Sequence, residues 1–368
     1  MKIAHLCLSL GKGGAEKLLV DSLPMYGSGH EITIVQLSSV LEEPSYIKAV
    51  EAAGIKVVTL GTGGFKSFSY FFQIHKLLQS GGFDVFHVHL FPCLYYVSVA
   101  ARFVKRRPIL VVTEHSNSNG RSNKAWLDPI EKWIYKKYDA IIAVSQNVEA
   151  MLQKRFPGLQ SKIHQIKNGV DLNRFHPAKM DEVDVFTTEF QRQPEAVKLF
   201  MTSRFAPPKD QQTVIQALQQ LPSNFELFFA GDGPEMEPSI QLAKQLGLEN
   251  RVHFLGFRND IPQLMRLANI NILSSLYEGL SGVTLEALAS GKPFLGTDVS
   301  GINDVVPDDR FVFEKQNPTE LAQKILAVSN DFGLQSAMVQ KGLEHVQSFG
   351  MRHMIDAYLN LYGRLKTR

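Results

Sequence analysis

Glu278 and Glu286 stand eight residues apart on either side of Gly279-Leu280-Ser281-Gly282 and the first turn of a helical run, Val283 to Ala289. Val283, Ala287 and Leu288 recur at helical spacing. The strand-like Ile270-Asn271-Ile272-Leu273 precedes the stretch, and Ser290-Gly291-Lys292-Pro293 ends the helix before a second strand, Phe294 to Thr297. Glu278 therefore belongs to a loop at a strand's carboxyl end, and Glu286 lies about a turn into the next helix. Backbone N–H groups at the helix start between them can cradle an anion. An acid on each side can grip hydroxyls flanking a phosphate, a combination that suits a sugar nucleotide. A loop Glu is ordinarily solvated and a helical Glu ordinarily faces water, so the pair needs support from elsewhere in the chain.

Other loops at expected strand ends supply candidates. Gly11, Gly13, Gly14 and Glu16 follow the first strand, and glycines there let backbone approach a ligand closely. Glu114-His115-Ser116-Asn117 follows another strand, and a histidine so placed can donate to a hydroxyl or a phosphate oxygen. His5, His87 and His89 lie inside strands and read as structural. Arg204 and Lys209, five residues apart in SRFAPPKD, would neutralise a diphosphate, Arg as a fork and Lys as a point charge. Gly231-Asp232-Gly233-Pro234 is a strong turn signal, and Gly256-Phe257-Arg258 can set backbone against a flat base.

These loops need elements to hold them. At 368 residues the chain exceeds what one hydrophobic core serves, so two domains are expected. Apolar runs such as Ile3 to Leu8 and Val85 to His89 alternate with helical stretches, the βαβ rhythm of a parallel, doubly wound sheet. The rhythm pauses in the turn-rich Ile166 to Pro177 and the polar Asp181 to Gln193, then restarts at Lys198. The expectation is an α/β chain of two doubly wound, Rossmann-like lobes facing a central cleft. Residues 1–172 form the first lobe and 173–347 the second. Ligands in such sheets bind beyond the carboxyl ends of the strands.

Composition excludes several classes. No apolar run reaches the ~18 residues of a membrane span, and the N-terminus reads as a buried first strand rather than a secretory leader. Two cysteines, Cys7 and Cys93, in apolar contexts read as buried thiols of a reducing compartment. Residues 1–172 carry 20 Lys and Arg against 13 Asp and Glu, a net +7; the remaining 19 and 23 give −4. The basic half suggests an acidic partner or an anionic membrane surface, through Arg102, Lys105, Arg106, Arg107, Lys132, Lys136 and Lys137. No nucleic-acid-binding motif or long basic run accompanies it, and no nucleic-acid partner is expected. The chain is expected in the cytoplasm, with peripheral docking at the inner face of the cell membrane as a further expectation.

With these residues in view, the chain resembles the retaining glycosyltransferases of the GT-B fold in family 4. GKGGAE, TEHS, NGVDLNRF, SRFAPPKD, AGDGPE, FLGF and above all EGLSGVTLEALASGKP carry the likeness, in order and over nearly the whole chain. The resemblance implies catalytic roles for Arg204, Lys209, Glu278 and His115. Arg204 and Lys209 would hold and stabilise the leaving diphosphate, Glu278 would meet hydroxyls of the transferred sugar, and His115 would lie near that sugar or the acceptor. Glu286 would bind the ribose, the amides around Leu280, Ser281, Gly282 and Val283 would cap the phosphates, Gly13 and Gly14 would approach the donor, and Phe257 would flank the base. Glu16, Ser116 and Asn117 would fall on the acceptor side. The last helix, within residues 348–368, would cross back onto the first lobe. Three departures from the family pattern stand out: Leu-Ser-Gly between the acids, Ser116-Asn117 after the histidine, and Pro207-Pro208 between the cations.

The implied reaction moves a hexose or N-acetylhexosamine from a nucleotide-sugar, foremost a UDP-sugar, to a saccharide or lipid-linked acceptor in cell-surface polysaccharide or lipopolysaccharide synthesis. No Asp-x-Asp occurs in the sequence. Arg204, Lys209 and a helix N-terminus would supply the positive potential, with neither metal nor other cofactor expected. A sugar-nucleotide 2-epimerase of the same architecture and a non-catalytic sugar-nucleotide sensor remain alternatives. An NAD-linked oxidoreductase is disfavoured because GxGxxG and its ribose acid are missing.

Overall fold

The computed structural model describes residues 1–11, 13–39, 45–62, 64, 67–89, 91–115, 125–178 and 195–367. Lys12, Ser116, Asn117 and the polar stretch Asp181 to Gln193 lie outside the described residues. The chain divides into two compact units, one of Met1–Gly169 with Met351–Arg368 and one of Val170–Gly350.

The first unit is built on seven parallel strands: β1 (Lys2–Cys7), β2 (Glu31–Ser38), β3 (Lys56–Gly61), β4 (Val85–His89), β5 (Ile109–Glu114), β6 (Ala140–Ala143) and β7 (Ile163–Gln165). Their order is β3-β2-β1-β4-β5-β6-β7. The connecting helices are α1 (Gly14–Ser22), α2 (Ser45–Ala52), α3 (Ser69–Ser80), α4 (Cys93–Ala100), α5 (Asp128–Lys136) and α6 (Gln146–Arg155). The chain winds outward from β1 to β3, then returns to place β4 on the other side of β1. That reversal opens a crevice beyond the carboxyl ends of β1 and β4. The interior of β1 and β4 is fully buried, as expected of strands covered on both faces.

The second unit repeats the plan with β8 (Val197–Thr202), β9 (Phe225–Ala230), β10 (Val252–Phe254), β11 (Ile270–Leu273), β12 (Phe294–Thr297) and β13 (Val312–Phe313), in the order β10-β9-β8-β11-β12-β13. Its helices are α7 (Gln211–Gln219), α8 (Met236–Gln245), α9 (Ile261–Leu267), α10 (Gly282–Ala289), α11 (Ser300–Asn303), α12 (Pro318–Asn330) and α13 (Phe332–Val346). Here the order reverses between β8 and β11, so the loops after these two strands are neighbours.

The final helix, α14 (Met351–Lys366), belongs to the first unit. Met351, Met354, Ile355, Tyr358, Leu361 and Tyr362 form its buried stripe at helical spacing. They pack on Ile3, Val85, Val111, Ala140 and Ile142 of the first sheet. Burying each such side chain contributes roughly 1.5–3 kcal/mol, which suffices to fix the helix. Lys366 adds an ion pair to Asp84 at 2.8 Å.

The boundaries at Gly169/Val170 and Gly350/Met351 replace those expected at 172/173 and 347/348. Val170 bridges Gly350 and donates its N–H to the Phe349 carbonyl at 2.8 Å, which ties residues 170–172 to the second unit. Helix α6 and strand β7 have no counterpart in the sequence reading. Cys7 and Cys93 are free, buried thiols, as expected.

Candidate active site

In the second unit the loop after β8 carries Arg204 and Lys209, and the loop after β11 carries Glu278. Backbone bonds sew the two loops together. Lys209 forms an antiparallel bridge with Ser275. The Leu276 N–H donates to the Pro208 carbonyl at 2.8 Å, and the Asp210 N–H donates to the Ser274 carbonyl at 3.1 Å. Asp210 then caps α7, accepting from the Thr213 N–H at 3.2 Å and the Thr213 hydroxyl at 2.6 Å. The consequence is an ion pair between residues 69 positions apart, Lys209 Nζ and Glu278 Oε1. Their side chains are 17% and 14% exposed, so the pair is screened far less than a surface bridge.

Arg204 reaches outward and is exposed. Its backbone is held from beneath by Gln211, a residue the sequence reading passed over. Gln211 is 2% exposed, and its amide donates to both the Ser203 hydroxyl and the Arg204 carbonyl at 3.1 Å. The Gly231–Gly233 turn closes over the same loop. Phe205 donates its N–H to the Asp232 carbonyl at 2.9 Å. A Cβ on Gly231 would lie 1.9 Å from the Ser203 carbonyl oxygen, and one on Gly233 2.3 Å from that of Phe205. Both glycines also have φ near +145°, which only glycine adopts readily. The Gly231 N–H donates to the Gly256 carbonyl at 2.8 Å, which sets Phe257, 39% exposed, at the edge of this turn.

Helix α10 starts where expected. Ser281 is its N-cap, accepting from the Thr284 N–H at 3.2 Å and the Thr284 hydroxyl at 2.9 Å. Ser281 and Leu280 are buried, Gly282 is exposed, and Val283 and Glu286 are half-buried on the first two turns. The first amides of the helix and its dipole thus face the same loop as Glu278. Helix α11 presses against this loop from the side. Ser281 donates its N–H to the Gly301 carbonyl at 3.0 Å, and a Cβ on Gly301 would stand 2.6 Å from the Glu278 carbonyl carbon. Gly301 is a second positioning residue that sequence reasoning missed.

The first unit holds the remaining candidates. Gly13 is the N-cap of α1, with Gly14 and Glu16 in its first turn. The Glu16 carboxylate folds back to within 2.0 Å of where a Gly13 Cβ would be, so the absent side chain at Gly13 makes room for it. His115 follows β5 at partial exposure and is not isolated. Register sets His5 opposite His87, and His89 opposite Thr113. His5 Nδ1 and His89 Nε2 are 3.0 Å apart, and His89 Nδ1 and His115 Nε2 3.4 Å. His87 bonds Tyr362 of α14 and Thr113 at 2.6 Å each. Each of the two contacts between imidazoles needs one N–H and one lone pair, which suits neutral rings. Burial pushes His5 down to about 3 and His115 to about 4, although the His115 ring keeps part of its surface in solvent. Burial, reinforced by the neighbouring imidazoles, holds His87 and His89 well below the usual range.

His5, His87 and His89 are close enough to suggest a metal site. The chemistry does not fit, because both nitrogens of His87 are engaged, and the space enclosed beside His5, His89 and His115 is about 10 Å³. These rings are a packed, hydrogen-bonded cluster behind His115. A groove of about 770 Å³ in the same unit opens at the opposite end of the sheet, around Met1, Gly29, Glu31 and Lys56, and contains none of the candidates.

Comparison with known proteins gives the family and the fold. Residues 15–174 match the family model Glycosyltransferase Family 4, and residues 186–345 match Glycosyl transferases group 1. The N-acetyl-alpha-D-glucosaminyl L-malate synthase of Bacillus anthracis is 25% identical over 343 residues, 90% of this chain and 83% of the relative. A Campylobacter jejuni alpha-1,4-N-acetyl-D-galactosaminyltransferase, named for GalNAc-alpha-(1->4)-GalNAc-alpha-(1->3)-diNAcBac-PP-undecaprenol, is 25% identical over 377 residues, covering 100% of this chain and 99% of its own. Among solved structures, Anabaena HepE in complex with UDP and glucose superimposes with a TM-score of 0.85 at 22% identity, over 99% of both chains.

Proposed function

The chain belongs to the family 4 glycosyltransferases of the GT-B fold, and from that premise we propose that it transfers a hexose or N-acetylhexosamine from a UDP-sugar, with retention and without a metal, to a saccharide or lipid-linked acceptor of bacterial cell-surface glycan synthesis. The observation that carries the reading is the Lys209–Glu278 pair, held where the loops after β8 and β11 are sewn together beside the N-terminus of α10.

Each part of that arrangement suits a sugar diphosphate. The α10 amides and the Lys209 ammonium present positive potential to a diphosphate, and Arg204 adds a fork from the same loop. In glycosyl transfer the bond from the anomeric carbon to the phosphate oxygen breaks and its electron pair goes to the diphosphate. Fixed positive charge at that oxygen therefore acts on the transition state more than on the bound donor. Glu278, oriented by Lys209, accepts hydrogen bonds from hydroxyls of the transferred sugar, and Glu286 does the same for the ribose. In the first unit, His115 is a neutral imidazole that can orient a hydroxyl of the sugar or acceptor. HepE, of the same fold, binds UDP and glucose, and the Campylobacter relative's name carries an undecaprenol-linked glycan; both favour this donor and acceptor class. The Bacillus anthracis relative, whose name joins an N-acetylglucosaminyl group to L-malate, keeps smaller acceptors open.

The test is a panel of UDP-, GDP- and ADP-sugars scored by thermal stabilisation, followed by labelled transfer and NMR of the product's anomeric proton. The reading expects a UDP-sugar to stabilise most and the product to keep the donor's anomeric configuration. Epimerised donor would favour the 2-epimerase instead, and tight binding with no turnover would favour a sensor.

A further inference from the structure

Helices α3, α4 and α5 form one layer on the first sheet, with α4 packed against both neighbours. Its outer surface is unusually apolar for one in contact with water. Phe68, Phe72 and Phe103 are 88%, 67% and 61% exposed, and Trp126, Ile130 and Trp133 are 70%, 47% and 37% exposed. Phe72 and Phe103 are joined through Phe71, whose ring lies 5.2 Å from Phe72 and 5.9 Å from Phe103, and the Phe68 carbonyl accepts the Phe71 N–H at 3.2 Å one turn earlier. Single exposed apolar residues need no explanation, but a cluster of large aromatics marks an interaction surface.

The charge on this layer has one sign. Ser69–Ser80 and Cys93–Phe103 contain no Asp or Glu. The acids of the α5 region are neutralised from within. Arg155 pairs with Asp128 at 2.6 Å and with the fully buried Glu131 at 2.8 Å, and Tyr95 donates to Glu131 at 2.5 Å. Arg107, expected from the sequence among the docking cations, instead clamps Asp139 with bonds of 2.6 and 2.9 Å. What remains outward is cationic: Lys76, Arg102, Lys105, Arg106, Lys132 and Lys136 are all exposed. Lys137 lies over the Trp133 ring, 5.1 Å from its centroid.

We propose that this face docks on an anionic lipid bilayer, with the Phe and Trp rings entering at headgroup depth and the surrounding cations meeting lipid phosphates. Aromatic side chains favour that depth, and Lys and Arg can lie along it with their charges toward the headgroups. The core of a protein interface, by contrast, is depleted in Lys. Stable attachment needs two signals, and this face has both, apolar insertion and a polybasic rim. No helix among the described residues is long and apolar enough to cross a membrane, so attachment through this face is peripheral.

The sequence contains two tryptophans, Trp126 and Trp133, and both lie here, so intrinsic fluorescence reads the face directly. The experiment titrates the full chain with vesicles of phosphatidylcholine alone, and of phosphatidylcholine with 30% phosphatidylglycerol. The expected result is a blue shift, quenched by brominated lipid, with the anionic vesicles only. It should weaken about 5-fold for each cation removed in Arg102→Gln, Lys105→Gln and Arg106→Gln, and fade with salt. Phe68→Ser with Phe72→Ser should abolish quenching by brominated lipid. Unchanged melting temperatures separate lost docking from lost folding, and the charge variants, at exposed positions, cover the case in which the Phe variants unfold. Absence of binding to anionic vesicles at low salt would overturn the proposal. So would a blue shift that appears with protein concentration alone, which would assign the face to a second copy of the chain. Vesicle binding does not depend on the donor or acceptor, so its failure leaves the proposed reaction standing.

Discussion

Lys209→Ala probes the reaction most directly. Lys209 is 17% exposed and lies against Glu278, so its charge acts in an environment much less polar than water. A unit charge ~4 Å from another is worth about 4 kcal/mol at an effective dielectric of 20. Only the charge that develops as the diphosphate leaves counts toward the barrier. If that is about half a unit, the loss is ~2 kcal/mol, and removal of one preorganised donor in other enzymes costs ~3–4 kcal/mol. The expected fall in kcat is therefore about 30- to 1000-fold. The variant also strands the Glu278 carboxylate beside the leaving group, so Lys209→Ala with Glu278→Gln should recover part of the loss rather than add to it. Glu286→Ala removes a hydroxyl clamp present in ground and transition states alike, and should act mainly on the donor KM. Single-turnover and steady-state rates with labelled donor measure all three variants. Equal losses in Lys209→Ala and Glu286→Ala, both confined to KM, would refute the assignment of Lys209 to the leaving group.

Three further outcomes follow from the geometry. Gly301→Ala should cost ~1–3 kcal/mol of stability and a larger share of activity, because its Cβ meets the Glu278 backbone 2.6 Å away; thermal melts and kcat measured together check this. His5, His87 and His89 are buried and neutral, so the unfolded chain takes up protons there from about pH 6.5 downward while the folded chain does not. Stability should be complete above pH 6.5 and fall as pH drops, by up to ~1.4 kcal/mol per pH unit for each ring, and a melting temperature unchanged between pH 7.5 and 5 would contradict the neutral cluster. Full activity is expected after chelation; loss with EDTA and rescue by Mn²⁺ would show that Arg204, Lys209 and α10 do not suffice.

Much of this architecture is legible in the chain because buried parallel strands announce themselves. Ile3 to Leu8 and Val85 to His89 read as strands because both faces are covered, and the α14 stripe reads as a helix because its apolar residues recur at 3.6 spacing. Helix α6 is less visible, since it buries only Val148 and Leu152, and β7 is three residues long, too short to show a period. The site residues divide similarly. Arg204, Lys209 and Glu278 carry charge at loop positions, Glu286 carries it on the helix that follows, and all four attract notice. Gln211 and Gly301 act through what they touch, and an amide at a helix start or a glycine in Ser-Gly-Ile-Asn looks like any solvent-facing turn. The histidines show the same limit. Each reads alone as a strand residue, and only the order β1-β4-β5 sets His5, His87, His89 and His115 side by side.

The loop pairing also bears on what kind of acid Glu278 is. Two carboxylates flanking a sugar invite the glycosidase template, in which one of them attacks the anomeric carbon. Glu278 is poorly placed for that, because Lys209 engages its Oε1 and the Gly301 turn fixes its backbone. An ion-paired carboxylate is a weaker nucleophile, and freeing it would remove the cation from the leaving phosphate at the moment that charge develops. The two tasks compete for one ammonium. They cease to compete if Glu278 only accepts hydrogen bonds from sugar hydroxyls while Lys209 bridges it to the diphosphate. Glycosyl transfer then proceeds on the face the phosphate leaves, with a departing phosphate oxygen taking the acceptor's proton. Under this scheme Glu278→Gln keeps measurable transfer, since an amide still accepts a hydrogen bond. Mass spectrometry after rapid quenching, with a slow donor, should find no sugar on the peptide containing Glu278. A glycosyl ester at Glu278 that forms and decays at the rate of turnover would return the residue to the nucleophile's role.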